Sequence, residues 1–199
     1  MSIRYYDEAV SNKIKGWVRD KNMRILSPAD SSRFFQMRAD LKNDTPLTLP
    51  MIAISRLGGA EIINTNKRAL TYDGGHLDAN GEKSEVLNAI PIKIQYQLDI
   101  YTKYFAEADE YARNFVFNII NYPRIKIEIP YNDSRVVHNS TLLLEPSIDD
   151  ASDIPERLIA GQFYRISLKM FIDDAYLFSV PFNPNWKVEM GEVKVREEK

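Results

Sequence analysis

The histidines are the side chains of this 199-residue chain that could do acid–base chemistry near neutral pH, and there are two, His76 and His138. His76 stands in Tyr72-Asp-Gly-Gly-His-Leu-Asp78, where Asp73 and two glycines could form a small catalytic or phosphate-binding loop. The segment lacks both G-x-G-x-x-G and G-x-x-x-x-G-K-[ST], so a nucleotide site has weak support. We therefore expect His76 to be a solvated loop residue and His138 to lie on the face of a sheet.

Metal and nucleophile chemistry has even less support. Neither histidine has a second ligand at metal-binding spacing, and Asp149, Asp150 and Asp153 lack the closing Glu of an EF-hand. The chain contains no cysteine, which excludes disulfides, thiolate metal sites and a Cys nucleophile, and it has no Gly-x-Ser-x-Gly motif. We predict no catalytic residue, no cofactor and no metal, and we do not expect an enzyme.

The charge of the chain is nearly balanced, with 26 basic and 28 acidic residues and a formal net charge of -2. Nucleic-acid and membrane binders usually carry a basic excess, so neither kind of binding is expected as the main function. Phe34 and Phe35, between Arg33 and Arg38, resemble an aromatic platform for single-stranded nucleic acid, but such residues are more often core. No secretory signal and no membrane-spanning stretch is recognisable, so we expect a protein that stays soluble where it is made.

The elements that position these residues are organised around one stretch, Ile92 to Ile100. Its apolar and polar residues alternate strictly, which predicts a half-buried strand. A helix follows and ends before Pro123, and a second alternating strand runs from Ile125 to Tyr131. The helix should bury one face, formed by apolar residues three and four apart: Ala108, Tyr111, Ala112, Phe115, Ile119 and Ile120.

The remaining elements complete one α+β domain over residues 1–199. An amphipathic helix is predicted over residues 3–18, strands over 23–26 and 51–56, and a turn at 27–30, while 31–43 fits a short helix or a strand. Residues 57–89 are predicted to form a long glycine-rich insertion, with a small hairpin of 60–63 and 69–72 and a flexible tip at 73–85. Two hairpins are expected, one pairing 125–131 with 136–144 and one pairing 162–172 with 175–182 across Asp173-Asp174, with an acidic connection over 146–155.

The C-terminal residues 183–199 are predicted to form a strand-like arm, in which Trp186, Val188 and Met190 alternate with charged residues. Such a segment can pair with the edge of a sheet, including that of a neighbouring molecule. The predicted fold is therefore an antiparallel-dominated β-sheet flanked by two amphipathic helices, with a long insertion and a terminal arm.

Two parts of the chain together resemble a known protein family. One part is Pro46-Leu-Thr-Leu-Pro-Met-Ile-Ala-Ile-Ser-Arg-Leu-Gly-Gly-Ala-Glu-Ile, followed by Asn64-Thr-Asn-Lys-Arg-Ala-Leu70. The other is Ile90-Pro-Ile-Lys-Ile-Gln-Tyr-Gln-Leu-Asp-Ile-Tyr-Thr-Lys with Glu107-Ala-Asp-Glu-Tyr-Ala-Arg-Asn-Phe. Both resemble the tail completion and sheath-stabilising proteins, or tail terminators, of contractile-tailed bacteriophages. The resemblance covers about half of the chain, from Pro46 to Tyr131, and consists of pattern more than of invariant chemistry.

The resemblance implies a virion structural protein that forms a hexameric ring at the head-proximal end of the tail, assembled in the host cytoplasm. Such a ring caps the tail tube, stabilises the sheath and joins the tail to the neck proteins, and DNA passes through its lumen without specific binding. Candidate interface residues are taken from the insertion and the arm: Lys67, Arg68, Asp73, His76, Trp186, Val188 and Met190. Lys93 and Lys126 are further candidates for such contacts or for the lumen, beside the simpler interpretation of solvated strand faces.

Three alternatives remain open at this stage. The ring could be a head–tail adaptor or stopper on the portal side, which co-assembly with tube or portal would separate from a terminator. The chain could instead be a small-molecule-processing enzyme that uses the loop from Asp73 to His76. It could also bind single-stranded nucleic acid through Phe34 and Phe35, which would make binding salt-dependent.

Overall fold

Three helices and ten strands follow one another in the part of the chain that the structure, a computed structural model, describes: residues 3–41, 48–63, 70–72, 76–77, 87–131, 134–150 and 163–178. In chain order they are α1 (Ile3–Trp17), β1 (Arg24–Leu26), α2 (Pro28–Leu41), β2 (Met51–Arg56), β3 (Glu61–Ile62), β4 (Leu70–Tyr72), β5 (His76–Leu77), β6 (Leu87–Thr102), α3 (Phe105–Asn121), β7 (Arg124–Tyr131), β8 (Ser134–Thr141), β9 (Leu143–Asp150) and β10 (Tyr164–Phe178). The α+β class is confirmed, with three helices where two were expected.

The strand β6 is the centre of the larger sheet, as its alternation predicts. Its partners are β10 on one side and β2, β3 and β4 on the other, all antiparallel. The predicted core face is fully buried, since these five side chains have no solvent exposure: Ile92, Ile94, Tyr96, Leu98 and Ile100.

Two sheets are present in the described residues. The larger has seven strands in the order β1-β2-β6-β10-β9, with β3 and β4 also against β6. Only the short β1 runs parallel to its neighbour β2. The smaller sheet has the order β5-β8-β7, and the hairpin of β7 with β8 confirms the pairing expected for that part of the chain.

The main core lies on the face of β6 that carries Ile92 to Ile100, where α1, α3 and the inner face of β7 pack. In α3 the side chains of Ala108, Ala112, Phe115 and Ile119 are buried, but Ile120 is 63% exposed. Successive helix residues turn by about 100°, which places Ile120 about 110° from the centre of the buried stripe. The assignment of Ile120 to the buried face was therefore wrong.

A smaller core covers part of the opposite face of the sheet. It consists of Leu26, Met51, Ala53, Tyr101 and Phe163, with Phe34 and Leu49 packed against it. Phe34 and its edge-to-face neighbour Phe35 come from α2. The core interpretation is thus confirmed for Phe34, which is partly buried, but it is wrong for Phe35, which is 36% exposed.

The helix α2 resolves the ambiguity of residues 31–43, and it begins where a turn was expected. The backbone N–H of Asp30 donates to Oγ of Ser27 at 3.3 Å, and that hydroxyl donates to the Asp30 carboxylate at 2.6 Å. Ser27 thereby satisfies an N–H group that the first helical turn leaves unpaired, and Pro28 occupies the position where proline is tolerated. Ser27-Pro-Ala-Asp30 is a helix start rather than a turn that ends the chain's first strand.

The described parts of the long insertion contain more strand pairing than the sequence predicted. β3 and β4 do not pair with each other as a hairpin, because each pairs with β6, Glu61 opposite Lys93 and Leu70 opposite Ala89. β6 is sixteen residues long and β2 only six, so β6 offers unpaired backbone groups beyond β2 that other segments can satisfy.

The second expected hairpin is also wrong, since β10 runs unbroken through Asp173-Asp174. Ile172 lies opposite Ile94 and Ala175 opposite Ile92, so one extra residue is taken up as a bulge and both apolar side chains stay buried. The expected acidic connection over 146–155 is strand β9 as far as Asp150, and the rest lies outside the described residues.

Candidate functional site

The candidate interface residues taken from the sequence fall mostly outside the described residues. This holds for Lys67, Arg68, Asp73, Trp186, Val188 and Met190. His76 is placed by its backbone only, in strand β5 opposite Val136 of β8, which corrects the expected loop position. The two lysine candidates are described. Lys93 Nζ lies 4.7 Å from the ring centroid of Phe171, and exposed Lys126 forms an ion pair of 2.7 Å with Glu128.

The outer face of α3 is the most apolar exposed surface of any described helix. Phe117 and Ile120 are 62% and 63% exposed, and Tyr122, just past the end of the helix, is 62% exposed. At the other end of the same helix, Tyr104 and Phe105 are 63% and 50% exposed. We call the surface formed by Phe117, Ile120 and Tyr122 the α3 face. Tyr104 and Phe105 do not belong to it, because Phe105 lies roughly 18 Å from Phe117 along the helix and exposed charged residues lie between them. Neighbouring exposed apolar groups mark interaction surfaces.

A groove of about 840 Å³ lies beside the α3 face, between the end of α1 and α3. Trp17, Arg113 and Phe117 are among its lining residues. Tyr111 donates a hydrogen bond of 3.1 Å to the Asp20 carboxylate there. Burial, together with that hydrogen bond to a carboxylate, raises the pKa of Tyr111 to about 12, so its hydroxyl remains a donor at physiological pH. The groove is therefore lined by aromatic rings and by both acidic and basic side chains.

A buried ionic cluster lies on the other face of the large sheet, around Asp99 of β6. Arg165 donates to both carboxylate oxygens, each at 3.2 Å, and Gln97 donates at 2.8 Å. The hydroxyl of Ser167 also donates to Asp99. The side chain of Asp99 is 5% exposed and that of Arg165 is 22% exposed. Since all four residues belong to β6 and β10, the cluster ties the two longest strands together, and we interpret it as structural.

A partly buried carboxylate, that of Asp7 in α1, joins this helix to the sheet. Tyr96 donates to it at 3.0 Å, and Arg56 lies 3.8 Å away. Burial raises the pKa of Asp7 above its usual value, although the hydrogen bond from Tyr96 and the charge of Arg56 act in the opposite direction. The pKa of Tyr96 is raised by its own burial and by the negative charge of Asp7. Tyr96 therefore stays neutral and holds α1 on β6.

The bulge of β10 forms a third polar cluster with β8. Nε2 of His138 lies 2.8 Å from the backbone oxygen of Asp174, and the hydroxyl of Ser140 donates to the Asp174 carboxylate. The His138 ring packs edge-to-face on Tyr176, with ring centroids 5.3 Å apart. His138 is 6% exposed, so the expected sheet-face position is confirmed and is a buried one. Burial lowers its pKa, and the adjacent Asp174 acts in the opposite direction.

The lowered pKa of His138 predicts a loss of stability in mild acid. Below about pH 6.5 the unfolded chain binds a proton on this imidazole before the folded protein does, so the free energy of unfolding falls by up to about 1.4 kcal/mol per pH unit. Above that pH the imidazole is neutral in both states and has no such effect. The measurement is urea unfolding from pH 8 to pH 5 for the wild type and for His138→Gln, which keeps a donor for the Asp174 carbonyl.

The difference between the two pH curves isolates His138 from the carboxylates and from His76. We expect the difference to be flat above pH 6.5 and to favour the variant progressively below it. A difference that stays flat to pH 5 would show that folding does not change the affinity of His138 for protons.

Comparison with known proteins does not identify the family of this chain. No family model and no curated protein matches the chain. Among solved structures, it is similar to a chain of the structure described as "Tail of empty GTA particle computed with helical refinement, C6 symmetry". The similarity covers 67% of this chain and 86% of that chain at 17% identity, with a TM-score of 0.27. At that level of similarity, neither family nor function follows from the match.

Reasoning from the sequence missed the α3 face, which is the clearest exposed surface of the described residues. The signal was present, because Phe117 falls between the buried positions Phe115 and Ile119 and so points away from the core. Ile120 was instead assigned to the buried stripe. The described residues hold no group of three or more His, Cys, Asp or Glu side chains able to bind a metal ion.

Proposed function

We propose that this chain is a structural protein of a phage tail, which assembles into a hexameric ring at the head-proximal end of the tail tube. In that position it caps the tube, stabilises the sheath and presents a surface to the neck proteins. We propose no catalytic activity, and DNA passes through the ring without specific contacts. The protein therefore belongs to the virion.

The α3 face is the observation that carries the proposal. A helix that buries one stripe in the core and exposes Phe117, Ile120 and Tyr122 on the other side is suited to contact a second protein surface. The segments from Pro46 to Tyr131 that resemble tail terminators agree with an assembly role. A contact between different surfaces of identical chains closes into a ring when the rotation between neighbours allows it.

The test is the mass of the purified protein by light scattering at several concentrations, alone and with purified tail tubes. A sixfold mass, or a monomer that becomes a ring on tube ends, supports the proposal. A monomer that ignores tube ends overturns it. Repeating the experiment with purified portal separates a tail terminator from a head–tail adaptor, because only the adaptor would bind the portal.

Ile120→Glu is expected to weaken assembly by about tenfold or more, since a central apolar anchor of an interface contributes about 2 kcal/mol or more and about 1.4 kcal/mol corresponds to a factor of ten. The substitution places a charge on a side chain that is already in solvent, so the monomer should fold normally. The measurement is the concentration at which the ring forms, by light scattering or by tube-end binding. Circular dichroism checks that the variant is folded.

Asn121→Glu is the matched control, because it adds the same charge to the neighbouring exposed position of the same helix. We expect this variant to assemble like the wild type. Equal effects of the two substitutions would mean that charge alone, and not the α3 face, governs assembly. No effect of either would place the interface elsewhere on the molecule.

The enzyme alternative has its own test. His76→Ala should leave assembly unchanged and remove a turnover activity if the loop from Asp73 to His76 is catalytic. We expect no activity to be lost.

A further inference from the structure

The free edges of the two sheets differ in how open they are to another strand. In the described residues, β1 and β9 end the main path of the larger sheet, β3 and β4 form a further edge of it beside β6, and β5 and β7 end the smaller one. Four of these edge strands, β1, β3, β4 and β5, have only two or three residues. β9 contains Pro146 and is irregular, because its register against β10 shifts between Leu168 and Met170. Short length, proline and bulges all discourage the addition of a strand.

β7 has none of these protections over most of its length. It pairs with β8 at every position from Arg124 to Tyr131 without a register shift, and its proline, Pro130, lies next to the end. Among the described residues no strand pairs with its second edge. In an antiparallel pair about half of the backbone groups of an edge strand point away from its partner. β7 therefore offers a regular row of donors and acceptors to one more strand.

The side chains of β7 indicate which sequence pattern an added strand should have. Ile125, Ile127 and Ile129 are buried on one face, and Lys126 and Glu128 are exposed on the other. A strand placed beside β7 should therefore alternate in the same way, with apolar residues next to the isoleucines. Its charged residues should oppose a lysine and a glutamate that are two positions apart.

The C-terminal segment Trp186-Lys-Val-Glu-Met190 has this pattern. In an antiparallel register with Val188 opposite Ile127, Trp186 falls opposite Ile129 and Met190 opposite Ile125. The same register places Glu189 opposite Lys126 and Lys187 opposite Glu128, so both charged pairs are of opposite sign. A parallel register with Val188 opposite Ile127 would instead place lysine against lysine and glutamate against glutamate, which is destabilising.

We propose that residues 186–190 of a neighbouring copy add to the free edge of β7 as an antiparallel strand. This inference rests on the proposed ring, for which it supplies one contact between neighbours. The donor segment and the β7 edge are different parts of the chain, so each copy gives one strand and accepts one. Such a contact is heterologous and can close into a ring.

A neighbour fits better than the same chain because of the direction of β10. Asp174 contacts Ser140, and Tyr176 contacts His138, so β10 runs antiparallel to β8 there and parallel to β7. To pair antiparallel with its own β7, the chain would have to reverse direction between Phe178 and Trp186. Only seven residues of the chain are available for that reversal.

The test uses the absence of native cysteine. Lys126→Cys and Glu189→Cys are made as separate full-length proteins, mixed under assembly conditions and oxidised. Residues directly opposite on neighbouring strands are close enough for a disulfide, so a product of twice the 23.0 kDa chain mass should dominate the mixture on non-reducing gels. Each variant oxidised alone should yield little of it. Ile127→Cys with Val188→Cys repeats the test at the adjacent cross-strand position.

The matched control mixes Lys126→Cys with Val188→Cys, whose side chains lie on opposite faces in the proposed register and should not link. The two cysteines Lys126→Cys and Glu189→Cys are also placed in one chain. A ladder of linked chains is expected, and a link within one chain would overturn pairing with a neighbour. Failure of both cross-strand pairs to link overturns the register.

Light scattering on the same samples separates this inference from the proposed ring. Rings without cross-linking overturn the strand exchange and leave the proposed function standing. Cross-linked chains that never reach a ring, alone or on tail tubes, support the strand exchange and overturn the proposed function.

Discussion

Phe115→Ala should lower the free energy of unfolding by about 3–5 kcal/mol, which is the usual cost of removing a fully buried phenylalanine side chain. Phe115 has no solvent exposure and lies in the main core between α3 and the large sheet. The lost ring leaves a cavity that the close-packed side chains around it can only partly fill. Urea unfolding followed by circular dichroism measures the change.

Phe117→Ala is a control of identical chemistry two residues along the same helix. Its ring is 62% exposed, so the same truncation should cost less than about 1 kcal/mol of stability. Because assembly can stabilise a folded chain, both variants are compared at several protein concentrations and at the lowest measurable one. Equal losses for the two variants would mean that α3 does not lie on the sheet through its Phe115 face.

Asp99→Asn should lower the free energy of unfolding by about 3 kcal/mol, the lower end of the range for breaking a buried ion pair. The substitution leaves the guanidinium of Arg165 without its carboxylate in a largely buried position. The value falls at the lower end because Arg165 is 22% exposed and keeps some contact with water. The change is measured by urea unfolding of the variant and the wild type.

Asp149→Asn tests the same chemistry at the surface of the same sheet. Asp149 accepts an ion pair of 2.9 Å from Lys169, but their side chains are 46% and 36% exposed. Exposed pairs contribute about 0–1 kcal/mol, so this variant should unfold almost like the wild type. High salt should reduce its small effect further and should change the effect of Asp99→Asn much less. A small loss for both would indicate that the Asp99 cluster is accessible to water.

Much of the fold could be predicted from the sequence because its signals are local. The alternation from Ile92 to Ile100, the helical spacing of Ala108 to Ile119 and the alternation from Ile125 to Tyr131 each require only neighbouring residues to interpret. The burial of each of these sets agrees with its pattern. Candidate residues in the insertion and the arm remain predictions, apart from the backbone position of His76.

The predictions from the sequence were wrong where strand pairing depended on residues distant in the chain. Asp173-Asp174 has the composition of a turn, yet the length of β6 offers partners on both sides of it, and a bulge keeps the strand paired. In the same way, β3 and β4 pair with β6 because its backbone extends past β2. Composition gives the local preference, and backbone hydrogen bonding across the sheet overrides it.

The sequence by itself determined the α+β class, the central strand and most of the buried stripe of α3, since periodicity depends only on the geometry of each element. Only the tertiary structure decided which strand edges remain open. It also decided that the isolated carboxylate Asp99 would meet Arg165, 66 residues away. These features depend on how elements meet across long stretches of chain, which no local pattern encodes.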